Sequence, residues 1–163
     1  MVVRNTTASE WMVIIIFHRD DKEKRELLMN ELSAKFPQIN SLLYIINPKR
    51  NDTFFDLDVH LFKGQDHITE EMNGLRFKIS AKSFYQTNSE QAFELYKVAK
   101  DFASLTRSEL VYDLYTGTGT IANFIADKAR RVIGIDYIED AINDAKENSN
   151  TNCISNTEFF AGD

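Results

Sequence analysis

The sequence predicts an α/β protein in two parts: a small α/β domain over residues 1–79, and the first half of a doubly wound, Rossmann-like sheet over residues 80–163. Three observations predict it. Near the start, a β-branched apolar run, a helix-spaced stretch and a second apolar run follow one another. From residue 88 onward helix and strand alternate to the end, the order of a parallel sheet with helical crossovers. Finally, Gly117 and Gly119 fall between a predicted strand and a predicted helix, the position at which open α/β sheets bind ligands.

Residues 11–18 form an apolar run of strand length, and the charged Arg19, Asp20, Asp21 and Lys22 mark its exit. Leu27, Leu28, Leu32 and Phe36 recur at helical spacing over residues 22–36, and Pro37 ends that pattern. Residues 41–47 again read as a strand. Over residues 53–62 Phe55, Leu57, Val59 and Leu61 alternate with Asp56, Asp58 and His60, which predicts a half-exposed strand. Asn73-Gly74 between residues 68–72 and 75–79 is the dipeptide most typical of a two-residue hairpin. Asn88 with Gln91 predicts a helix start, and Ala92, Leu95, Tyr96, Ala99, Phe102 and Ala103 follow on one face. Strands over 110–115, 131–136 and from 157, with helices to about 128 and 150, complete the pattern. Only three strands of the second sheet are expected, and the chain reads as truncated straight after the third.

Composition narrows the classes. With 43% hydrophobic residues, 12% aromatic, six Gly and two Pro, a packed core is expected and disorder is not. No apolar run approaches the roughly 20 residues needed to span a bilayer, and no secretory leader pattern follows Met1, so a cytoplasmic protein without membrane contact is expected. Cys153 is the single cysteine, and His18, His60 and His67 are dispersed, so metal binding has no support. A net charge of -6 argues against a broad nucleic-acid surface on this portion.

The residues that carry chemistry centre on Asp113-Leu114-Tyr115-Thr116-Gly117-Thr118-Gly119-Thr120. Two glycines let the backbone turn tightly and approach a ligand, and free N–H groups at a helix start favour a carboxylate or phosphate. Gly117-x-Gly119-x-x-Ala122 also fits the dinucleotide fingerprint, so the glycines alone leave a nicotinamide oxidoreductase and a methyltransferase both open. Asp113, four positions before the first glycine, favours the methyltransferase. Asp136 closes the next strand 17 residues after Gly119, where a carboxylate can accept both hydroxyls of a ribose or simply cap the following helix. Asp163 stands at the equivalent end of the third strand, within reach of an adenine. Lys78 and Lys82 read as solvated beside the core aromatics Phe84 and Tyr85, and the pairs Phe54-Phe55 and Phe159-Phe160 as core strand positions.

Four motifs in order, Phe84-Tyr85-Gln86-Thr87-Asn88, Asp113 to Gly119, Gly134-Ile135-Asp136, and Asp140-Ala141-Ile142 with Ala145 and Asn148, resemble the tRNA and ribosomal RNA uracil-5-methyltransferases. The resemblance implies S-adenosylmethionine as cofactor, with Gln86, Tyr115, Thr120, Asp136 and Asp163 at contacting positions and Gly117 and Gly119 supplying close backbone approach. It also implies a tRNA or ribosomal RNA substrate for the full-length enzyme. Thr116 stands where the family usually has Cys, and Asp136 where it usually has Glu. The family's thiolate nucleophile and general base lie downstream of residue 163, and its oligonucleotide-binding N-terminal domain is absent. The 163-residue chain alone is therefore expected to transfer no methyl group. Cys153 lies in a helix–strand connection where the family commonly has Asn-Gly, so it reads as a small loop residue. A catalytically inactive cofactor-binding or RNA-docking module is the remaining alternative.

Overall fold

A strand that the residue pattern does not announce, Val2–Asn5 (β1), opens the computed structural model, which describes residues 1–162. A tight turn returns the chain, with Thr6 N–H donating to Glu10 O and Ser9 N–H to Thr6 O. Trp11–Phe17 (β2) then pairs antiparallel with β1. Asp21 caps the next helix, Lys22–Lys35 (α1), its side chain accepting from Lys24 N–H. The chain crosses over to Ser41–Ile46 (β3), parallel to β2, and His60–Gly64 (β4) adds antiparallel to β3. The sheet order is β1-β2-β3-β4. Val13, Ile15 and Leu42 pack with Met29 of α1, while Met12, Ile14, Leu43 and Ile45 on the other face are also buried. Burial on both faces explains the uninterrupted apolar runs.

Two expectations for this part need correction. Residues 53–59 are not a strand: Leu57 N–H bonds to Phe54 O in a turn, and the Asn47 amide donates to Asn51 O and Thr53 O. Those bonds hold the backbone in a closed loop, so the alternation of Phe55, Leu57 and Val59 has no ladder to match. On α1 the buried residue is Met29, whereas Leu27 and Leu28 are exposed.

His67–Met72 (β5) and Leu75–Ser80 (β6) form the expected hairpin, with Asn73 and Gly74 both at positive φ, 52° and 78°. That is the two-residue turn Asn-Gly favours. Ser89–Ala103 (α2) starts under an Asn88 cap that accepts from Gln91 N–H. Leu110–Leu114 (β7), Arg131–Asp136 (β8) and Thr157–Ala161 (β9) make a parallel sheet in the order β7-β8-β9. The crossovers are Thr120–Ile125 (α3), prolonged by a 3-10 turn at Ala126–Lys128, and Glu139–Thr151 (α4). Contacts divide the chain into two units, Met1–Ile68 and Thr69–Asp163. In the second, Ala122, Phe124, Ile125, Val132, Ile142, Ala145 and Phe159 form the core with Ala92 and Tyr96 of α2, while Leu95 and Phe102 of α2 are exposed. Among the described residues no helix is long and apolar enough to cross a membrane.

Candidate functional site

The chain leaves β7 at Leu114 and must turn sharply to start α3 at Thr120. Tyr115 adopts φ 61° and Gly117 and Gly119 adopt 56° and 73°. For tyrosine that left-handed conformation is costly, and such strain collects at functional sites. A Cβ on Gly119 would lie 3.0 Å from Ala145 Cβ and from the Phe159 ring, so glycine lets α4 and β9 close under the loop. Three hydrogen bonds lock the turn: Thr116 N–H donates to Ile135 O at 3.0 Å, Gly119 N–H to Thr116 O at 2.9 Å, and Gly117 N–H to Asp136 Oδ2 at 2.9 Å.

Two carboxylates frame this loop. Asp113 accepts from the Thr116 hydroxyl at 2.6 Å and from Ala122 N–H at 3.1 Å, so it ties the end of β7 to the start of α3. Burial raises its pKa above the usual carboxylate range, the two hydrogen bonds oppose that, and the charge of Asp136 adds to it. Asp136 is itself buried, and its second oxygen accepts from Ile138 N–H at 3.0 Å. It is not the cap of α4, whose N-cap residue is Ile138. Leu114, Tyr115, Ile135, Asp136, Tyr137 and Gly162 line a cavity of about 320 Å³ beyond the carboxyl ends of β7 and β8, where doubly wound sheets take their ligands.

The segment carrying Gln86 is held at both ends. Asp144 of α4 accepts from the hydroxyls of Ser80 at 2.8 Å and Ser83 at 2.5 Å. The buried Glu70 accepts from the Ser89 hydroxyl at 2.7 Å. Between these anchors Phe84 O lies 3.9 Å from the position a Cβ on Gly117 would take, so the segment runs beside the glycine loop.

Of the residues singled out from the sequence, Tyr115 and Asp136 line the cavity together, and Gly117 is bonded to Asp136. Gln86 is exposed on the adjoining segment. Thr120 is buried, its hydroxyl 3.0 Å from that of Thr118. Asp163 lies outside the described residues. Lys78 and Lys82 pair with Glu147 and Asp140. Phe84 is 70% exposed, not a core aromatic, and in the Phe54-Phe55 and Phe159-Phe160 pairs the second ring is exposed. Cys153 is exposed at φ 55°, the left-handed geometry that glycine adopts at no cost. Sequence reasoning missed Glu70, Asp144 and Ser149, whose partners are distant in the chain. Asn148 stands out in the sequence only as part of a motif.

The fold is that of Rossmann-like α/β methyltransferases, and a family model described as a methyltransferase domain matches residues 105–163. The crystal structure of Pyrococcus abyssi tRNA (uracil-54, C5)-methyltransferase in complex with S-adenosyl-L-homocysteine matches 99% of this chain and 38% of that one, with TM-score 0.78 and 25% identity. Among curated proteins, an uncharacterized RNA methyltransferase of Porphyromonas gingivalis is 58% identical over the whole chain, which covers 35% of it. A Bacteroides thetaiotaomicron protein of the same description is also 58% identical, with 37% of it covered. The chain thus spans about a third of the length of the curated relatives it matches.

Proposed function

We propose that this chain is the central portion of an RNA methyltransferase that uses S-adenosylmethionine and methylates C5 of uridine in tRNA or ribosomal RNA. Residues 80–163 are then the first half of its cofactor-binding domain. The observation that carries the reading is the likeness over 99% of the chain to a tRNA (uracil-54, C5)-methyltransferase.

The residues fit the cofactor. A carboxylate offers about four lone-pair directions. Asp136 spends two of them on Gly117 and Ile138 N–H groups, which aim it at the cavity and leave two for the ribose hydroxyls. The loop at Gly117 and Gly119 brings backbone close to the ligand, Tyr115 lines the cavity, and Gln86 and Thr120 flank the loop. When bound, S-adenosylmethionine supplies a methyl group activated by a positively charged sulfur. The chain's own task is to bind and orient it. The nucleophilic thiolate that attacks uracil C6 and the base that removes the C5 proton belong to the downstream part of the enzyme. Cys153 is exposed on the α4–β9 connection, and the proposal gives it no part in this chemistry.

The test is methyl transfer from radiolabelled S-adenosylmethionine by the full-length protein to tRNA and ribosomal RNA, followed by nucleoside mass spectrometry. The expected product is 5-methyluridine; methylation at any other nucleoside position sinks the assignment. Transfer by the isolated 163-residue chain should be nil.

A further inference from the structure

Two side chains of α4, Asp144 and Asn148, and that of its C-cap residue Asn152, each four residues apart, pair with alternate residues of β6. Asn152 Oδ1 accepts from Arg76 N–H at 2.8 Å and its amide donates to Arg76 O at 2.7 Å. Asn148 repeats the pattern with Lys78, accepting from its N–H at 2.6 Å and donating to its carbonyl at 3.3 Å. Asp144 closes the ladder on Ser80 N–H at 3.3 Å. A helix side chain here does what a neighbouring strand would do, satisfying a backbone edge.

Asn148 differs from its neighbours in the ladder. It is 1% exposed, and its amide also donates to Thr118 O in the glycine loop at 3.0 Å. The next carbonyl of the loop, Gly119 O, is held the same way: the Asn123 amide donates to it at 2.8 Å, and Asn123 Oδ1 accepts from the Ser149 hydroxyl at 2.7 Å. Gly119 O also accepts from the Asn123 backbone N–H at 2.9 Å, so its peptide plane is fixed within α3, whereas the Thr118 plane is fixed by Asn148 of α4. In a trans peptide the N–H points opposite to the C=O. Drawing the Thr118 carbonyl toward α4 thus turns the Gly119 N–H of the same plane away from it, where it donates to Thr116 O at 2.9 Å and closes the turn.

We infer that Asn148 is a positioning residue for the cofactor loop, fixing the Thr118 carbonyl so that the loop is preorganised for S-adenosylmethionine. The inference rests on the proposed function. A preorganised loop pays less ordering cost on binding, so releasing it weakens affinity even when the fold survives.

Asn152 supplies the matched control. Asn152→Ala and Asn148→Ala each lose a two-bond pairing with β6, but only the second releases the loop. Calorimetric titration of the full-length protein with S-adenosylhomocysteine separates the effects. Lost folded protein lowers the binding stoichiometry and leaves the dissociation constant alone; lost positioning raises the dissociation constant at full stoichiometry. We expect Asn148→Ala to weaken binding about five- to tenfold, the worth of about one hydrogen bond, and Asn152→Ala to leave the dissociation constant within about twofold. Should Asn148→Ala fail to fold, Asn148→Asp carries the same expectation, because it keeps an acceptor for Lys78 N–H and loses the donor to Thr118 O. Unchanged affinity in the folded loop variant, or equal weakening in Asn152→Ala, overturns the positioning role while the proposed function stands. If the wild-type protein binds no S-adenosylhomocysteine, both fall together.

Discussion

The two units of this protein are both α/β, yet they are held by different interactions. In residues 1–68 the buried polar side chains are few, Thr6, Ser41 and Asn47 among the described residues, and the strands are sealed by Met12, Ile14, Leu42, Leu43 and Ile45. From residue 69 on, buried polar groups are many, in the glycine loop, at the end of β8 and along α3 and α4: Thr116, Thr118, Thr120, Asn123, Asp136, Asp144, Asn148 and Ser149. Apolar burial is non-directional and tolerates slack, whereas a buried carboxylate or amide must meet its partners within a few tenths of an ångström. The first unit therefore reads as scaffold and the second as a site whose geometry is set by hydrogen bonds. Stability and binding should respond separately to substitutions in the two.

The largest stability loss is expected in the first unit. Leu42 is 1% exposed between β2, β3 and Met29. Leu42→Ala should destabilise by about 2–5 kcal/mol in urea unfolding, while the folded fraction keeps its affinity for S-adenosylhomocysteine. A shift in that dissociation constant beyond about threefold, more than ordinary non-additivity between distant sites, breaks the separation.

Asp136 should behave in the opposite way. Asp136→Ala removes the acceptor for Gly117 and Ile138 N–H and, on the proposed function, both ribose contacts. Affinity for S-adenosylhomocysteine should fall at least about tenfold, or ~1.4 kcal/mol. Asp136→Asn is informative because one carboxylate oxygen becomes a donor and must face either a backbone N–H or a ribose hydroxyl. It too should weaken binding. Wild-type affinity in both variants removes Asp136 from the ribose site.

Which of these features the sequence discloses follows from how far apart the partners lie. Elements set by local patterning emerged: β2 and β3 from apolar runs, the β5–β6 turn from Asn73-Gly74, α2 from its Asn88 cap, and the β7–β9 alternation. The loop at residues 53–59 misled because its alternation is a local coincidence overridden by Asn47, itself several residues away. At the site, Gly117, Gly119 and Asp136 carry a recognisable spacing. The clamps do not: Ser89 meets Glu70 across 19 residues, Ser83 meets Asp144 across 61, and Lys78 meets Asn148 across 70. Only the folded chain brings such pairs together.

Close packing beneath the loop should give a smaller stability loss than Leu42→Ala. A Cβ on Gly134 would sit 2.5 Å from Phe159 Cδ1 and 2.8 Å from Thr116 Oγ1, the hydroxyl that anchors Asp113. Gly134→Ala should cost about 1–3 kcal/mol through overpacking. Phe159→Leu in the same chain should recover part of that loss. If the double variant is as unstable as the sum of the two singles, the clash with the ring is not its cause.

The smallest effect expected is a pair of opposed pH dependences along β7, and it sharpens the contrast within the second unit itself. Glu109, just before β7 and half-buried, accepts from the Thr106 and Ser108 hydroxyls and from their N–H groups. Those bonds, with the Thr106 hydroxyl first, lower its pKa from 4.5 to about 2. A lowered folded-state pKa means the stabilisation is present above pH 4.5 and is lost as pH falls toward 2. Asp113, near the other end of the strand, is shifted upward by burial, so its sign reverses. The folded protein then holds that proton more tightly than the unfolded chain, and Asp113's contribution is greatest below 3.8 and is lost as pH rises through the folded value. Urea unfolding from pH 2 to pH 7 on wild type, Glu109→Gln and Asp113→Asn separates the two. Relative to Glu109→Gln, wild type should lose stability on acidification below about pH 4.5. Relative to Asp113→Asn, it should gain stability as pH drops from neutrality into the carboxylate range. Difference curves of the same sign would mean that Asp113 is governed by its hydrogen bonds to Thr116 and Ala122 and not by its burial.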